Sequence, residues 1–318
     1  MNSPMKTKST EAAITESYRR SEEIAARKHP HLYRVASLFP DRDRYWAFCA
    51  AYASMRWVDD RIDNSAGSAD ELARWQEEIN LAHRGKAGSS LYGPALADTF
   101  QRFDLPLEPW EKLAGAMKYD LLHSGFESYD IFLSYAEGAT VAPAAVFSSL
   151  LLQRPKADRY ELPILYDVIH KAVRKAAIVC YEVHILRDAK EDIAAGRNYF
   201  PRDELDAYHL IGPHCSMSDW TEYLQFYIRR TQHRLRKALT DMDTIEAHMT
   251  SREKLMLHLL IEFYIYSLEK IITKDNDIWN GRHFLNPNEI SNIVIMLQKR
   301  YDSDSIFPSL ELAGSEDV

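Results

Sequence analysis

The sequence predicts an all-α protein that folds as a single domain. Only 11 of its 318 residues are glycine and 13 are proline. Glycine is thus about half as frequent as in an average protein, where it makes up about 7% of residues. Apolar side chains recur three and four residues apart along most of the chain, which is the spacing of a helix face. Alternating apolar and polar runs, the signature of strands, are essentially missing. These observations argue against sandwiches, barrels and glycine-looped nucleotide-binding folds.

The helical pattern divides the chain into about ten predicted helices between polar ends. We expect residues 1–15 to be a flexible N-terminus, residues 16–302 to form the all-α domain, and residues 303–318 to be a flexible acidic tail. Ser68 precedes Glu71 by three residues, the spacing of a capping box, and so marks the start of one helix. The predicted helices cover residues 16–27, 41–63, 69–84, 94–103, 108–123, 128–152, 162–195, 217–246, 251–274 and 287–300.

Charge and cysteine content restrict the partners and the compartment of the protein. The 39 Lys and Arg against 47 Asp and Glu give a net charge of −8, so no overall field attracts nucleic acid, and phosphates must be bound locally. Cys49, Cys180 and Cys215 form no CxxC pair, which predicts a reducing compartment. The N-terminal residues lack the apolar core of a signal peptide, and no run reaches the ~18 uninterrupted apolar residues of a membrane span. We expect a cytoplasmic protein with at most transient membrane-surface contact.

The first of two acidic segments ends the second predicted helix. Asp59 and Asp63 are four residues apart and share one helix face, with Asp60 beside them and Arg56 one turn earlier. Like charges at this spacing destabilise an isolated helix by ~0.2–0.5 kcal/mol. Something must offset this repulsion, and a bound cation would do so.

The second acidic segment lies within the long helix predicted over residues 162–195. His184, Asp188 and Asp192 follow one another at intervals of four and form one stripe. Glu191 lies three residues after Asp188, and Arg187 directly precedes it. Because apolar residues flank the stripe, it is suited to line an internal cavity.

Together the two segments suit a diphosphate site. Carboxylate oxygens are ligands that Mg²⁺ prefers, and Mg²⁺ commonly bridges carboxylates to substrate phosphates. Arginine binds phosphate oxygens through two parallel hydrogen bonds. The 6 Trp, 18 Tyr and 12 Phe residues can line a pocket that shields carbocations from water and stabilises them. One acidic helix alone is more often a solvated face with salt bridges, but two such helices, each with an arginine, favour a site.

At these residues the chain resembles the squalene and phytoene synthases. YWAFCAAYASMRWVDDRID is similar to the family's first aspartate motif, and HILRDAKEDIAAGRNYFPRDEL to its second. The similarity runs roughly over residues 28–299. It implies a head-to-head prenyltransferase with a helical isoprenoid-synthase fold around a central cavity. Such an enzyme joins two prenyl diphosphates, farnesyl or geranylgeranyl, through a cyclopropyl diphosphate into a squalene- or phytoene-type product. Mg²⁺ or Mn²⁺ is the implied cofactor, and NADPH would be needed only for squalene itself.

The resemblance also implies the roles of individual residues. The expected catalytic residues are Asp59, Asp60, Asp63, Asp188, Asp192, Arg56 and Arg187. The expected metal ligands are Asp59, Asp60, Asp63, Asp188, Glu191, Asp192 and His184. The residues expected to contact substrate are His29, His31, Tyr52, Arg56, Gly138, Tyr181, His184, Arg187, Arg197, Tyr264 and Arg282.

The chain departs from the family pattern at a few of these positions. His184 stands where the family usually has a metal-binding Asn, and Tyr181 where it usually has Gln. Mg²⁺ prefers oxygen, so His184 either binds Asp188, donates to diphosphate, favours another divalent metal, or is an ordinary paired helix residue. His29 and His31 occupy the region where the family has diphosphate-binding serines.

Several alternatives stay open at this point. A class I terpene cyclase would use the same acidic helices on one prenyl diphosphate, and a non-catalytic relative would act as a binding or assembly protein. The protein is expected to be a monomer or a homodimer. Gly138 is expected to permit a helix kink. Four arginines of one helix are expected to form a solvated basic face, namely Arg229, Arg230, Arg234 and Arg236.

Overall fold

The computed structural model describes residues 8–28, 30–63, 68–211, 216–274, 276–279 and 283–301. Within these residues it contains thirteen α-helices, one π-helical turn and one short β-hairpin. The helices are α1 (Lys8–Lys28), α2 (Pro30–Ala36), α3 (Arg42–Asp63), α4 (Ala69–His83), α5 (Gly93–Arg102), α6 (Glu108–Asp120), α7 (Tyr129–Ala136), α8 (Ala142–Leu152), α9 (Tyr166–Ala194), α10 (Arg202–Ala207), α11 (Met217–Glu246), α12 (Ser251–Thr273) and α13 (Pro287–Arg300). The all-α prediction is confirmed, and every predicted helix is present.

The structure also differs from the sequence-based prediction in places. Helix α1 begins at Lys8, eight residues before the predicted start of this helix at residue 16, and Ile14 on its inner face packs against the buried Tyr18. The strands β1 (Arg154–Lys156) and β2 (Arg159–Glu161) pair antiparallel, where no strand was expected. At three residues each, they are too short to show an alternating pattern.

Helix α9 lies at the centre of the fold. It packs against α8, α11 and α12, while α3 packs against α1, α5, α6 and α8. The N-terminal cap predicted at Ser68 is present, since its side chain accepts a hydrogen bond from the backbone N–H of Glu71. Capping boxes at Ser216, Thr250 and Asn286 likewise begin the last three long helices. Such caps satisfy N–H groups that have no partner within the helix.

The segment predicted as one helix over residues 128–152 is interrupted by a π-helical turn at Glu137–Val141. The interruption lies at Gly138, as expected, and brings α7 and α8 close to α6. A Cβ atom on Gly138 would lie 2.1 Å from the carbonyl oxygen of Lys112, so only glycine fits this approach. Among the described helices, Tyr129–Leu152 is the one long and apolar enough to cross a membrane by length and composition. The fold buries 72% of that segment's apolar window, as in a core helix.

The expectation of a solvated basic face on α11 is wrong for two of its four arginines. The side chains of Arg230 and Arg234 are only 17% and 18% exposed, and both approach Glu182 of α9, which is fully buried. Arg234 donates a hydrogen bond to Glu182, and the hydroxyl of Tyr129 donates to the same oxygen at 2.7 Å. The arginines are buried because α11 packs on α9, whereas Arg229 and Arg236 are exposed.

Candidate active site

The helices surround an elongated, mainly apolar cavity of about 420 Å³, a size typical of ligand pockets. Helix α3 lines it with residues that recur at intervals of three and four and so share one helix face, namely Phe48, Ala51, Tyr52, Met55, Arg56 and Asp59. Helix α9 contributes Val173, Ala176, Ala177, Cys180 and Arg187. On both helices the charged residues are the last to line the cavity. At a rise of 1.5 Å per residue, Phe48 lies about 16 Å from Asp59 along the axis of α3. The cavity therefore has a charged end and a long apolar part.

At the charged end, α3 carries a closed network of ion pairs. Arg56 Nη1 lies 2.6 Å from Asp59 Oδ2, and Arg56 Nη2 lies 2.5 Å from Asp60 Oδ1. Lys28 Nζ, at the end of α1, lies 2.6 Å from Asp60 Oδ2. Burial disfavours the charged form of Arg56, but the carboxylates of Asp59 and Asp60 outweigh this effect and raise its pKa. The repulsion between Asp59 and Asp60 is thus offset by basic side chains of the protein itself.

On α9, Arg187 binds Asp188 through two hydrogen bonds of 2.7 Å, from Nε to Oδ1 and from Nη2 to Oδ2. His184 Nδ1 lies 2.9 Å from Arg187 Nη2, and His184 Nε2 lies 3.0 Å from Asp188 Oδ2. A guanidinium group can only donate, so Nδ1 accepts and Nε2 carries the proton. Burial lowers the pKa of His184 to about 4, against the opposing effect of Asp188. His184 is therefore neutral at pH 7 and bridges its two neighbours.

Tyr181 belongs to an aromatic cluster behind the second acidic segment. Its ring stacks on Phe132 of α7, with centroids 6.0 Å apart and an angle of 4° between the planes. Burial chiefly raises its pKa, and the charge of Asp59 contributes. Arg56 and Asp59 of α3 and Arg187 of α9 line the same cavity, so both acidic helices border its charged end. Where the family pattern has an amide, this chain therefore has a ring that packs among other aromatic rings.

The structure places the remaining predicted residues as follows. Tyr52 and Tyr264 line the cavity, and Gly138 forms the π-helical turn. Arg197 Nη2 lies 3.6 Å from Asp192 Oδ1, while Glu191 is exposed.

Four predicted residues are described only in part or not at all. His29 and Arg282 lie outside the described residues. Asp63 is the last residue of α3 and His31 lies in α2. For these two residues the structure describes the helical backbone but not the side chain.

Two residues near the charged end were not predicted from the sequence. Lys28 binds Asp60 across the gap between α1 and α3, and the ring of Phe284 lies 4.8 Å from the guanidinium carbon of Arg187. Each contact joins residues far apart in the chain. No local spacing pattern signals such a contact, although the positive charge of Lys28 next to the predicted diphosphate-binding histidines was a usable hint.

The donor chemistry of the site fits divalent cations. The oxygens of Asp59, Asp60 and Asp188 are hard ligands of the kind that Mg²⁺ takes. Among the side chains that the structure describes, no three His, Cys, Asp or Glu residues are grouped closely enough to hold a cation as they stand. The three carboxylates instead contact Lys28, Arg56 and Arg187. A cation that binds these carboxylates would therefore compete with the basic side chains for their oxygens.

Comparison with known proteins gives a consistent result. Residues 26–288 match the sequence profile of the squalene/phytoene synthase family. Chloroplastic phytoene synthase 1 of Solanum lycopersicum is 23% identical over 282 residues, which cover 87% of this chain and 66% of that protein. Chloroplastic phytoene synthase 2 of the same plant is 26% identical, and the match covers 86% of each protein. The chain thus spans about two thirds of the length of the first relative.

Solved structures show the same fold. A dehydrosqualene synthase in complex with a ligand superposes with a TM-score of 0.76 at 15% identity, covering 92% of this chain and 99% of that one. Squalene synthase HpnC from Alicyclobacillus acidocaldarius gives a TM-score of 0.69 at 19% identity, covering 83% and 96%. The all-α isoprenoid-synthase architecture is therefore shared with these enzymes.

Proposed function

Because the chain belongs to the squalene/phytoene synthase family, whose members are prenyltransferases that act on prenyl diphosphates, we propose that it condenses two prenyl diphosphates head to head. The observation that carries this proposal is the cavity itself. Its charged end is bordered by Arg56 and Asp59 of α3 and by Arg187 of α9, and the rest of the described lining is mainly apolar. A diphosphate attached to a long hydrocarbon chain has the same division of polarity.

The charged end is suited to remove the diphosphate from the first substrate. Divalent cations, Mg²⁺ or Mn²⁺, would be held by Asp59, Asp60, Asp63, Asp188, Asp192 and Glu191, and would supply the charge that stabilises the leaving diphosphate. Arg56 and Arg187 would bind its oxygens, since guanidinium groups match phosphate geometry. His184 already uses both ring nitrogens on Arg187 and Asp188. We therefore assign it to positioning these residues rather than to metal ligation.

The apolar part of the cavity is suited to protect the allylic cation that remains. Phe48, Tyr52, Phe147 and Tyr264 are among its lining residues. Such side chains exclude water, which would quench the cation, and their ring faces stabilise positive charge. The double bond of the second substrate would then attack the cation, and loss of a proton from the resulting cation would close the ring of a cyclopropylcarbinyl diphosphate. Loss of the second diphosphate and rearrangement would give another cation, which becomes a phytoene-type hydrocarbon by losing a proton or squalene by accepting a hydride from NADPH.

Membership of the family does not define the chain length or the reductant. We propose farnesyl or geranylgeranyl diphosphate as substrates, with NADPH needed only if the product is squalene. We also propose a cytoplasmic enzyme, monomeric or dimeric, that contacts membrane surfaces transiently because its product is a hydrocarbon.

The direct test is product analysis with purified protein. Farnesyl and geranylgeranyl diphosphate are supplied separately, with Mg²⁺ or Mn²⁺ and with or without NADPH, and products are identified by mass spectrometry. We expect a C30 or C40 product and metal-dependent release of diphosphate. A cyclic C15 or C20 hydrocarbon would indicate a terpene cyclase instead.

Variants at the charged end test whether the protein is an enzyme at all. Asp59→Ala and Asp188→Ala should each lower diphosphate release by at least ~10-fold, the usual minimum effect of losing a group that orients a metal. Asp158→Ala, in the exposed turn of the hairpin, removes the same charge and should leave release unchanged. Equal release from all of these proteins would show that the acidic helices do not catalyse the reaction.

A further inference from the structure

Both oxygens of Asp60 are engaged by basic side chains. Arg56 contacts Oδ1 at 2.5 Å and Lys28 contacts Oδ2 at 2.6 Å, while the other terminal nitrogen of Arg56 contacts Asp59 at 2.6 Å. The side chains of Lys28 and Arg56 are each 35% exposed, and that of Asp60 is 23% exposed. Two positive side chains thus neutralise two carboxylates at the charged end of the cavity.

A divalent cation and these basic groups compete for the same oxygens. A cation that takes the lone pairs of Asp60 now used by Lys28 or Arg56 displaces that group, and one that binds beside them is repelled by their positive charge. The displaced groups remain tethered at the charged end, since Arg56 lies within α3 and Lys28 ends α1. They then need new anionic partners, and the oxygens of a diphosphate are suitable acceptors for both.

We propose that Lys28 and Arg56 couple the binding of divalent cations to the binding of diphosphate. The cation releases the basic groups from Asp59 and Asp60, so that they can bind diphosphate. Diphosphate binds the basic groups, so that the carboxylates become available to the cation. Cations alone bind weakly because they must break the ion pairs, and diphosphate alone binds weakly because its cationic partners are engaged. By linkage, the gain in affinity is the same whichever ligand binds first. Lys28, which belongs to neither acidic segment, is thereby a diphosphate-binding residue.

The charged end of α9 has the same arrangement, which supports the inference. Arg187 engages both oxygens of Asp188, so that a cation on Asp188 would likewise free a guanidinium group. Arg187 also lines the cavity. The two acidic helices therefore both carry basic groups that compete with cations for their carboxylates.

The inference is tested with inorganic pyrophosphate and Mg²⁺ by titration calorimetry. Wild-type protein, Lys28→Gln and Lys171→Gln are each titrated with Mg²⁺ alone and with pyrophosphate at fixed Mg²⁺. Lys171 is exposed on α9, about 24 Å along the helix from Arg187, and its replacement removes the same charge. Magnesium pyrophosphate forms equally in all samples, so differences between proteins report the site.

We expect Lys28→Gln to shift the two affinities in opposite directions. Mg²⁺ alone should bind several-fold tighter because its competitor is gone, and pyrophosphate in the presence of Mg²⁺ should bind several-fold weaker. The coupling factor should fall by about tenfold, within the usual range for coupled sites. Lys171→Gln should match wild type, and Lys28→Arg should retain most of the coupling. Thermal melts of each variant confirm that it is folded.

Other outcomes would overturn the inference. An unchanged Mg²⁺ affinity in Lys28→Gln, or a parallel loss of both affinities, would show that Lys28 does not exchange partners. The inference rests on the proposed function only for the choice of diphosphate as ligand. Because the titrations contain no prenyl chain, coupling without any prenyl product would refute the condensation alone. Prenyl product without coupling would refute this inference alone.

Discussion

The phenol ring of Tyr181 lies almost parallel to the imidazole ring of His184, with centroids 5.9 Å apart and an angle of 16° between the planes. The two residues are three apart on α9 and so share one face of the helix. Tyr181 also stacks on Phe132. The two positions on α9 at which the chain departs from the family pattern therefore form one aromatic stack. This stack holds His184 between Arg187 and Asp188.

Replacement of His184 by Phe tests this positioning role. The variant keeps a ring for Tyr181 but loses the hydrogen bonds to Arg187 and Asp188. Loss of one partner from a partly buried charged group costs about 1–3 kcal/mol. We therefore expect pyrophosphate in the presence of Mg²⁺ to bind about tenfold more weakly, as measured by calorimetry.

Metal preference separates positioning from metal ligation by His184. If His184 only positions its neighbours, the ratio of product formed with Mn²⁺ to that formed with Mg²⁺ is the same in His184→Phe as in wild type. If the imidazole binds the metal, its loss shifts the ratio toward Mg²⁺, because nitrogen ligands suit the later metals better. His123→Phe, which replaces a histidine outside the acidic segments, serves as the control.

Features set by local sequence were predictable. The long helices follow from apolar spacing, and the two acidic segments could be recognised from their charges. The Ser68 cap and the interruption at Gly138 also depend on neighbouring residues only. In contrast, α2 and α10 have seven and six residues, too few for a periodic pattern, and both were missed.

Features that depend on tertiary packing were not predictable. The sequence indicates that the negative charge of the first acidic segment must be offset. It does not show that Lys28, from another helix, forms an ion pair with Asp60. The sequence predicts that the arginines of α11 face solvent. Only the packing of α11 on α9 reveals that Arg234 donates a hydrogen bond to Glu182. Such ion pairs join residues far apart in the chain, so their charges alone do not identify the partner.

The buried pair of Glu182 and Arg234 gives a prediction about stability. Glu182→Gln leaves Arg234 without its counter-ion in a nearly dry environment, since Glu182 is fully buried and Arg234 is 18% exposed. Breaking a buried ion pair from one side costs about 3–5 kcal/mol. We expect the free energy of unfolding, measured in urea, to fall by about 3 kcal/mol.

An exposed ion pair provides the matched control for this variant. Glu161 pairs with Lys156 at 2.6 Å, but their side chains are 55% and 69% exposed. Exposed pairs contribute about 0–1 kcal/mol, so Glu161→Gln should change stability little. Equal losses in the two variants would show that burial of Glu182 is energetically unimportant.

Replacement by alanine is expected to have opposite effects on stability at two glycines that lie on neighbouring elements. Gly138→Ala would place a methyl group 2.1 Å from the carbonyl oxygen of Lys112, and backbone cannot move aside as a flexible side chain does. We expect a loss of at least ~1 kcal/mol, as for other overpacked sites, and lower product formation because the turn adjoins cavity-lining residues. At Gly115 in α6, an added Cβ would meet no atom within 4 Å apart from the backbone of its own helix, so Gly115→Ala should raise stability by about 0.5–1 kcal/mol. A similar urea midpoint for both variants would contradict the close packing at Gly138.

Phe147 gives a prediction about the length of the substrate. Its ring lines the cavity and packs edge-on against Phe39 and Phe48, with centroids 5.9 and 5.7 Å away. Phe48 is the cavity-lining residue of α3 farthest from Asp59, so this aromatic group lies in the part of the cavity remote from the charged end. Phe147→Ala opens space there, and added hydrocarbon in an apolar pocket contributes about 1–3 kcal/mol per methylene-sized group. We expect the ratio of kcat/KM for geranylgeranyl over farnesyl diphosphate to rise at least ~10-fold, measured with single substrates.

Phe103→Ala controls for loss of packing, because it removes a buried ring outside the cavity lining. An equal ratio in both variants would exclude Phe147 as a determinant of chain length.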